Sequence, residues 1–125
     1  MTDLTQWKVI LVDDEPDSLN LLCEILASQG VEVHHAAGGK QGLALLETVT
    51  PTLVVVDLAM PKPDGWDVLA AIRAAPATTH VPVVAITAYS SPRVIERACQ
   101  AGFNTLIPKP IKAEQFLSKL KEVVG

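Results

Sequence analysis

Apolar runs and helical patterns alternate five times along this chain, and no other feature narrows its possible folds as much. Val9-Ile10-Leu11-Val12, Leu53-Val54-Val55-Val56 and Val83-Val84-Ala85-Ile86 are near-continuous apolar runs rich in β-branched residues. Such runs suit strands covered on both faces, as in a parallel sheet between layers of helix. Strands are predicted over residues 8–12, 31–35, 53–56, 82–87 and 105–108. The segments between them have helical spacing: Leu19, Leu22, Cys23 and Leu26; Gly65, Val68, Leu69 and Ile72; Ile95, Ala98, Cys99 and Gly102. The last segment puts Ala113, Phe116, Leu117, Leu120 and Val124 on one stripe. Pro16 and Pro92 suit first-turn positions, and Gly30 and Gly102 suit left-handed helix ends. Repeated strand–helix units imply right-handed crossovers and an α/β sandwich.

The length of 125 residues fits one domain with one core, expected over residues 1–125. With 49% apolar and 19% charged residues, the chain has enough to bury and is not a disordered sequence. A net charge of −4 argues against direct nucleic-acid binding, which needs a basic footprint. Cys23 and Cys99 have no ligand-spaced partners and are expected to be buried, reduced thiols. No run is long enough to span a membrane, and the polar start lacks a signal-peptide pattern, so a cytoplasmic protein is expected. The last helix runs almost to the final residue, so no output domain is expected.

The chemistry lies where the strands end. Asp13-Asp14-Glu15 follow the first strand, Asp57 the third, Thr87 closes the fourth and Lys109 follows the fifth. In an open parallel sheet, ligands bind at the carboxyl ends of the strands. Taken singly, each residue has an ordinary structural explanation: a turn former, a strand-end hydroxyl, a solvated lysine. Together they bring carboxylates, a hydroxyl and an ammonium to one rim. Clustered carboxylates repel unless a cation is present, and oxygen-only ligands favour a hard ion such as Mg2+. A carboxylate beside such an ion and a lysine can act as a nucleophile towards a phosphoryl group.

These residues resemble a bacterial two-component response-regulator receiver domain of the stand-alone type. The likeness runs from Val9 to about Val124. It rests on Ile10-Leu11-Val12-Asp13-Asp14-Glu15, Val55-Val56-Asp57-Leu58-Ala59-Met60-Pro61 with Asp64-Gly65, Ile86-Thr87-Ala88, Ala101-Gly102 and Lys109-Pro110. The resemblance implies a flavodoxin-like sandwich with five parallel strands in the order 2-1-3-4-5 and five helices. It implies Asp57 as phosphoacceptor, Lys109 paired with the phosphoryl oxygens and Thr87 as their sensor. Asp14, Asp57 and the backbone carbonyl of Ala59 would ligate Mg2+, with Asp13 acting through water. A cis Lys109–Pro110 bond is also expected. The implied donor is a phosphohistidine on a sensor histidine kinase or a histidine phosphotransfer protein. The signal would pass to a downstream protein target through the fourth helix, fifth strand and fifth helix. The protein would be a monomer or weak dimer, catalysing only its own phosphorylation and dephosphorylation.

Two positions depart from the pattern. Leu106 stands where receivers usually carry Tyr or Phe, so the usual aromatic reporter is missing. Ala59, two residues after Asp57, has no polar side chain to place a hydrolytic water, and Tyr89 lies two residues after Thr87. A long-lived acyl phosphate is the expectation. His34, His35 and His80 are read as ordinary surface or edge histidines, and Trp66 as a packing residue. Three other readings fit less well. A non-phosphorylated interaction module would not need the complete Asp13, Asp14, Asp57, Thr87 and Lys109 set. A flavodoxin-like cofactor binder would not carry an acidic first loop. A haloacid-dehalogenase-like phosphatase would need a carboxylate at position 59.

Overall fold

A computed structural model describes residues 3–125 of the chain. A 3-10 turn, Leu4–Gln6, precedes five strand–helix units. The strands are β1 (Lys8–Val12), β2 (Glu32–Ala36), β3 (Leu53–Asp57), β4 (Val83–Thr87) and β5 (Thr105–Pro108). The helices are α1 (Pro16–Ala27), α2 (Gly39–Leu45), α3 (Gly65–Ala74), α4 (Pro92–Ala101) and α5 (Ala113–Val124). The sheet is parallel, in the order β2-β1-β3-β4-β5. The predicted fold class, the flavodoxin-like five-stranded sandwich, is therefore the one observed. β2 is displaced by one residue from its predicted span, because Glu32 N–H donates to the Trp7 carbonyl and starts the β1 ladder there.

Alternation along the strands divides the interior into two layers. Val9, Leu11, Leu53, Val55, Val84 and Ile86 face α1 and α5, where Leu22, Leu26, Phe116 and Leu120 cover them. Ile10, Val12, Val54, Val56, Val83 and Ala85 face the opposite side, against Val68, Leu69 and Ile72 of α3 and Ala98 of α4. β1, β3 and β4 are therefore covered on both faces, which is why their sequences read as unbroken apolar runs.

The helix boundaries follow local chemistry. Pro16 and Pro92 take the first turns of α1 and α4, where the missing N–H is not needed. Asp64 and Asp67 form a reciprocal capping box at the start of α3. Gly102 ends α4 at φ 116°, a left-handed conformation costly for any residue with a Cβ.

The α4 stripe departs from expectation. Only Ala98 is buried; Ile95 is 43% exposed and Cys99 is also exposed. The helix rests on its Val94–Ala98 line instead, so the Ile95–Cys99 line faces outwards. Cys99 is thus not a buried thiol, and Cys23 is only half-buried, with burial raising its pKa. Trp66 does pack: its ring meets Phe103 edge-on at 5.5 Å, and the Arg97 guanidinium lies 4.6 Å above it. His34 sits on the edge strand with its Nε2 2.7 Å from Glu32 Oε2, while His35 and His80 are exposed. Among the described residues, no helix is long and apolar enough to cross a membrane.

Candidate phosphoacceptor and metal site

The carboxyl ends of β1, β3, β4 and β5 converge as predicted. Asp13 leaves β1 with its N–H bonded to the Ala36 carbonyl and its Oδ1 accepting from Glu15 N–H at 3.0 Å. The acidic turn is thereby fixed before α1 begins. Asp57 is the last residue of β3, and its Oδ1 accepts from Ala59 N–H at 2.9 Å. Gly65, the first residue of α3, lies directly behind it: a Cβ there would fall 2.4 Å from the Asp57 carbonyl oxygen. Only glycine lets α3 start this close to the strand end.

Lys109 reaches in from the end of β5, where its N–H donates to the Thr87 carbonyl at 2.8 Å. Its Nζ is 2.8 Å from Asp57 Oδ2 and 3.1 Å from Asp13 Oδ2. The Asp13 side chain is fully buried and that of Asp57 nearly so. The expected cis Lys109–Pro110 bond is present, as is a second at Lys62–Pro63 that the sequence reading did not anticipate.

The charges do not balance. Burial pushes the Asp57 carboxyl above its ordinary value; Asp13 adds to this, and the bonds from Lys109 and Ala59 offset it only in part. Burial alone would lower the Lys109 ammonium, but its bond to Asp57 and its ion pair with Asp13 prevail and raise it. One ammonium thus serves two buried carboxylates and is held firmly, while Asp57 remains under-compensated. Asp13 Oδ2 lies 3.1 Å from Lys109 Nζ but outside hydrogen-bond geometry, and has no hydrogen-bond partner among the described residues.

One oxygen from each of Asp13, Asp14 and Asp57 falls within 4.8 Å of the others. An all-oxygen acidic set with an orphaned buried oxygen fits a hard divalent cation. Asp14, Glu15, Asp57, Ala59, Ala88, Tyr89 and Lys109 line an open recess of about 450 Å³ in front of the cluster. Asp14 and Ala59 are exposed to it, as are Glu15 and Tyr89, the last at 74%. Thr87 is buried at the end of β4, and its hydroxyl accepts the Tyr89 N–H at 3.0 Å.

All the predicted site residues therefore gather on one rim. Arg97 was not singled out from the sequence. It stacks on Trp66 and lines a smaller niche beside the recess with Ala59, Thr87 and Tyr89. Nothing in the sequence separates it from the other polar residues of an amphipathic helix. Leu106 is half-buried against the α3–α4 layer and lines a groove between β5 and α5.

The arrangement has close counterparts. Residues 9–121 match the response regulator receiver domain family. The chain is 34% identical to a probable chemotaxis protein CheY of Rhizobium etli, covering 94% of this chain and 92% of that one. It is 37% identical to an uncharacterised 14.6 kDa protein of Leptolyngbya boryana, covering 98% and 93%. Among solved structures, the chemotaxis protein CheY4 of Vibrio cholerae superposes with a TM-score of 0.89 at 26% identity, over 94% of this chain and 98% of that one.

Proposed function

This chain belongs to the response regulator receiver domain family, and from that premise we propose that it is a phosphoacceptor switch of a two-component phosphorelay, with Asp57 taking the phosphoryl group. The observation that carries this reading is the position of Lys109 Nζ, 2.8 Å from Asp57 Oδ2 and 3.1 Å from Asp13 Oδ2, beside an acidic recess. A carboxylate that is buried, poorly compensated and open to solvent on one side is suited to attack an electrophile.

In the proposed reaction a carboxylate oxygen of Asp57 attacks phosphorus. The P–N bond to the donor imidazole breaks as the P–O bond forms, leaving an acyl phosphate on Asp57 and a free histidine on the donor. The donor is a sensor histidine kinase or a histidine phosphotransfer protein. Lys109 stays charged throughout and offsets the developing charge on the phosphoryl oxygens. Asp14, Asp57 and the Ala59 carbonyl are the proposed ligands for Mg2+, with Asp13 acting through water. Bound there, Mg2+ neutralises the carboxylates and the transferring oxygens. The buried Thr87 hydroxyl turns to the new phosphoryl group. The altered β4–α4 loop then shifts the populations of the α4–β5–α5 surface, which a downstream protein reads.

Ala59 offers no polar group to a hydrolytic water, and Tyr89 stands at the rim of the recess. The acyl phosphate is therefore long-lived, and rapid loss of phosphate in a decay time-course would contradict this. Intact-mass measurement after incubation with Mg2+ and acetyl phosphate tests the main reading. Wild type should gain one phosphoryl group and Asp57→Asn none. An unlabelled wild type would point instead to an interaction module without phosphate chemistry.

A further inference from the structure

The β5 position that would report on the phosphoryl group in an aromatic-switch receiver holds Leu106, which has no ring to rotate. The rim carries a different aromatic. Tyr89 is 74% exposed, between the acidic recess and a second, less polar niche. That niche is open, has a volume of about 170 Å³, and is one that Tyr89 itself helps to line, with Leu58, Trp66, Thr87, Val94 and Arg97. An enclosed apolar cavity of about 150 Å³ takes a benzene ring, and this niche offers comparable space while open to solvent on one side. The walls suit a phenol: Leu58 and Val94 supply apolar contact, Trp66 an aromatic one, and Arg97 a donor for the hydroxyl.

One bond holds the backbone that carries the ring. The Thr87 hydroxyl accepts the Tyr89 N–H at 3.0 Å and pins the start of the β4–α4 loop. The Thr87 side chain moves between staggered wells, and leaving its present well carries Oγ1 away from that N–H. A phosphoryl group on Asp57 gives the hydroxyl a reason to turn, because charged oxygens accept more strongly than the sites available in the resting chain.

We infer that Tyr89 is the switch aromatic of this receiver: when Thr87 turns to phosphorylated Asp57, the loop is released and the Tyr89 ring enters the Trp66–Arg97 niche between α3 and α4. The inference rests on the phosphoacceptor reading of the same site. Its consequence is that the conformational signal is written first on the α3–α4 edge and on α4, and not through position 106. Because α4 buries only Ala98, it has few apolar contacts to oppose that adjustment.

Tyr89 is the only tyrosine in the chain, so fluorotyrosine labelling places a single 19F probe at this ring without mutation. The labelled protein is phosphorylated with Mg2+ and acetyl phosphate, and the extent is read by intact mass. The 19F signal is then recorded with a soluble paramagnetic agent. Phosphorylation is expected to shift the resonance and reduce paramagnetic broadening several-fold. Val94→Phe, which fills the niche from α4, should be phosphorylated normally yet keep the probe exposed. If phosphate is added and Tyr89 remains as accessible as before, the inference fails and the phosphoacceptor reading stands. If no phosphate is added, both fail. Burial of the ring to the same extent in Val94→Phe would also overturn the niche as its destination.

Discussion

At the scale of single residues, the site is an electrostatic imbalance held in place by the fold. Asp57 and Lys109 both carry raised pKa values, but their contributions to stability are lost in different pH windows. The raised carboxyl pKa of Asp57 means that the folded chain binds this proton more tightly than the unfolded chain does. Asp57 therefore favours folding in acid, and that contribution is lost as pH rises through its folded value. At neutral pH the ionised group is a burden. The raised Lys109 pKa has the same sign but a different window: its contribution is fully present below about 10.5, so it still stabilises at neutral pH, and is lost only as pH rises through its higher folded value. In metal-free buffer at neutral pH, Asp57→Asn should raise Tm by about 3 °C, the response of a domain this size to roughly 1 kcal/mol. Lys109→Met should lower it, because two buried carboxylates then lose their shared cation. Thermal melts of both variants at neutral pH check the pair; a fall in Tm for Asp57→Asn would show that the charges are better balanced than described.

At the scale of elements, α4 is the least anchored helix and Arg73 is its anchor. From the last turn of α3, the Arg73 guanidinium donates to the Gly102 carbonyl at 2.8 Å, the Val81 carbonyl at 2.6 Å and Asn104 Oδ1 at 3.1 Å. It thus ties the end of α4 and the approaches to β4 and β5 to the core, while the other end of α4 borders the niche. Arg73→Ala should cost about 3 kcal/mol in denaturant unfolding, since charged-donor bonds to two part-buried carbonyls and one exposed amide oxygen are lost together. Arg73→Lys should recover only part, because one ammonium cannot reproduce the planar fork. This network is invisible in the sequence: an arginine in the last turn of a helix ordinarily reads as a dipole partner, and two of its acceptors, the Gly102 carbonyl and Asn104 Oδ1, lie 29 and 31 residues away. The strands were readable because burial on both faces leaves a local signature, an unbroken β-branched run. The burial of α4 was misread because Ile95 and Cys99 are apolar at helical spacing, yet which line of a helix faces the core depends on where the neighbouring elements place it. The rim residues were readable because each ends a strand; Arg97 was not, because its place beside the niche depends on how α4 crosses α3.

At the scale of the whole molecule, a parallel sheet with two apolar layers is a rigid frame whose strand ends carry three acidic side chains and one ammonium. Such a frame should be stabilised by a cation that binds only when the rim is assembled. Mg2+ at about 100 times its Kd should add roughly 2.7 kcal/mol to unfolding, and Asp14→Asn should lose most of that gain. Melts in Mg2+ against Na+ at matched ionic strength separate ligation from screening. On the proposed function, only Asp57 of these three aspartates should become the acyl phosphate. An acyl phosphate is reduced by borohydride to a primary alcohol with loss of phosphate, so a phosphorylated aspartate becomes homoserine. The phosphorylated chain, reduced and sequenced by peptide mass, should carry homoserine at position 57 and intact aspartate at positions 13 and 14. Homoserine at either of those positions, or at none of the three despite phosphate incorporation, would contradict the account.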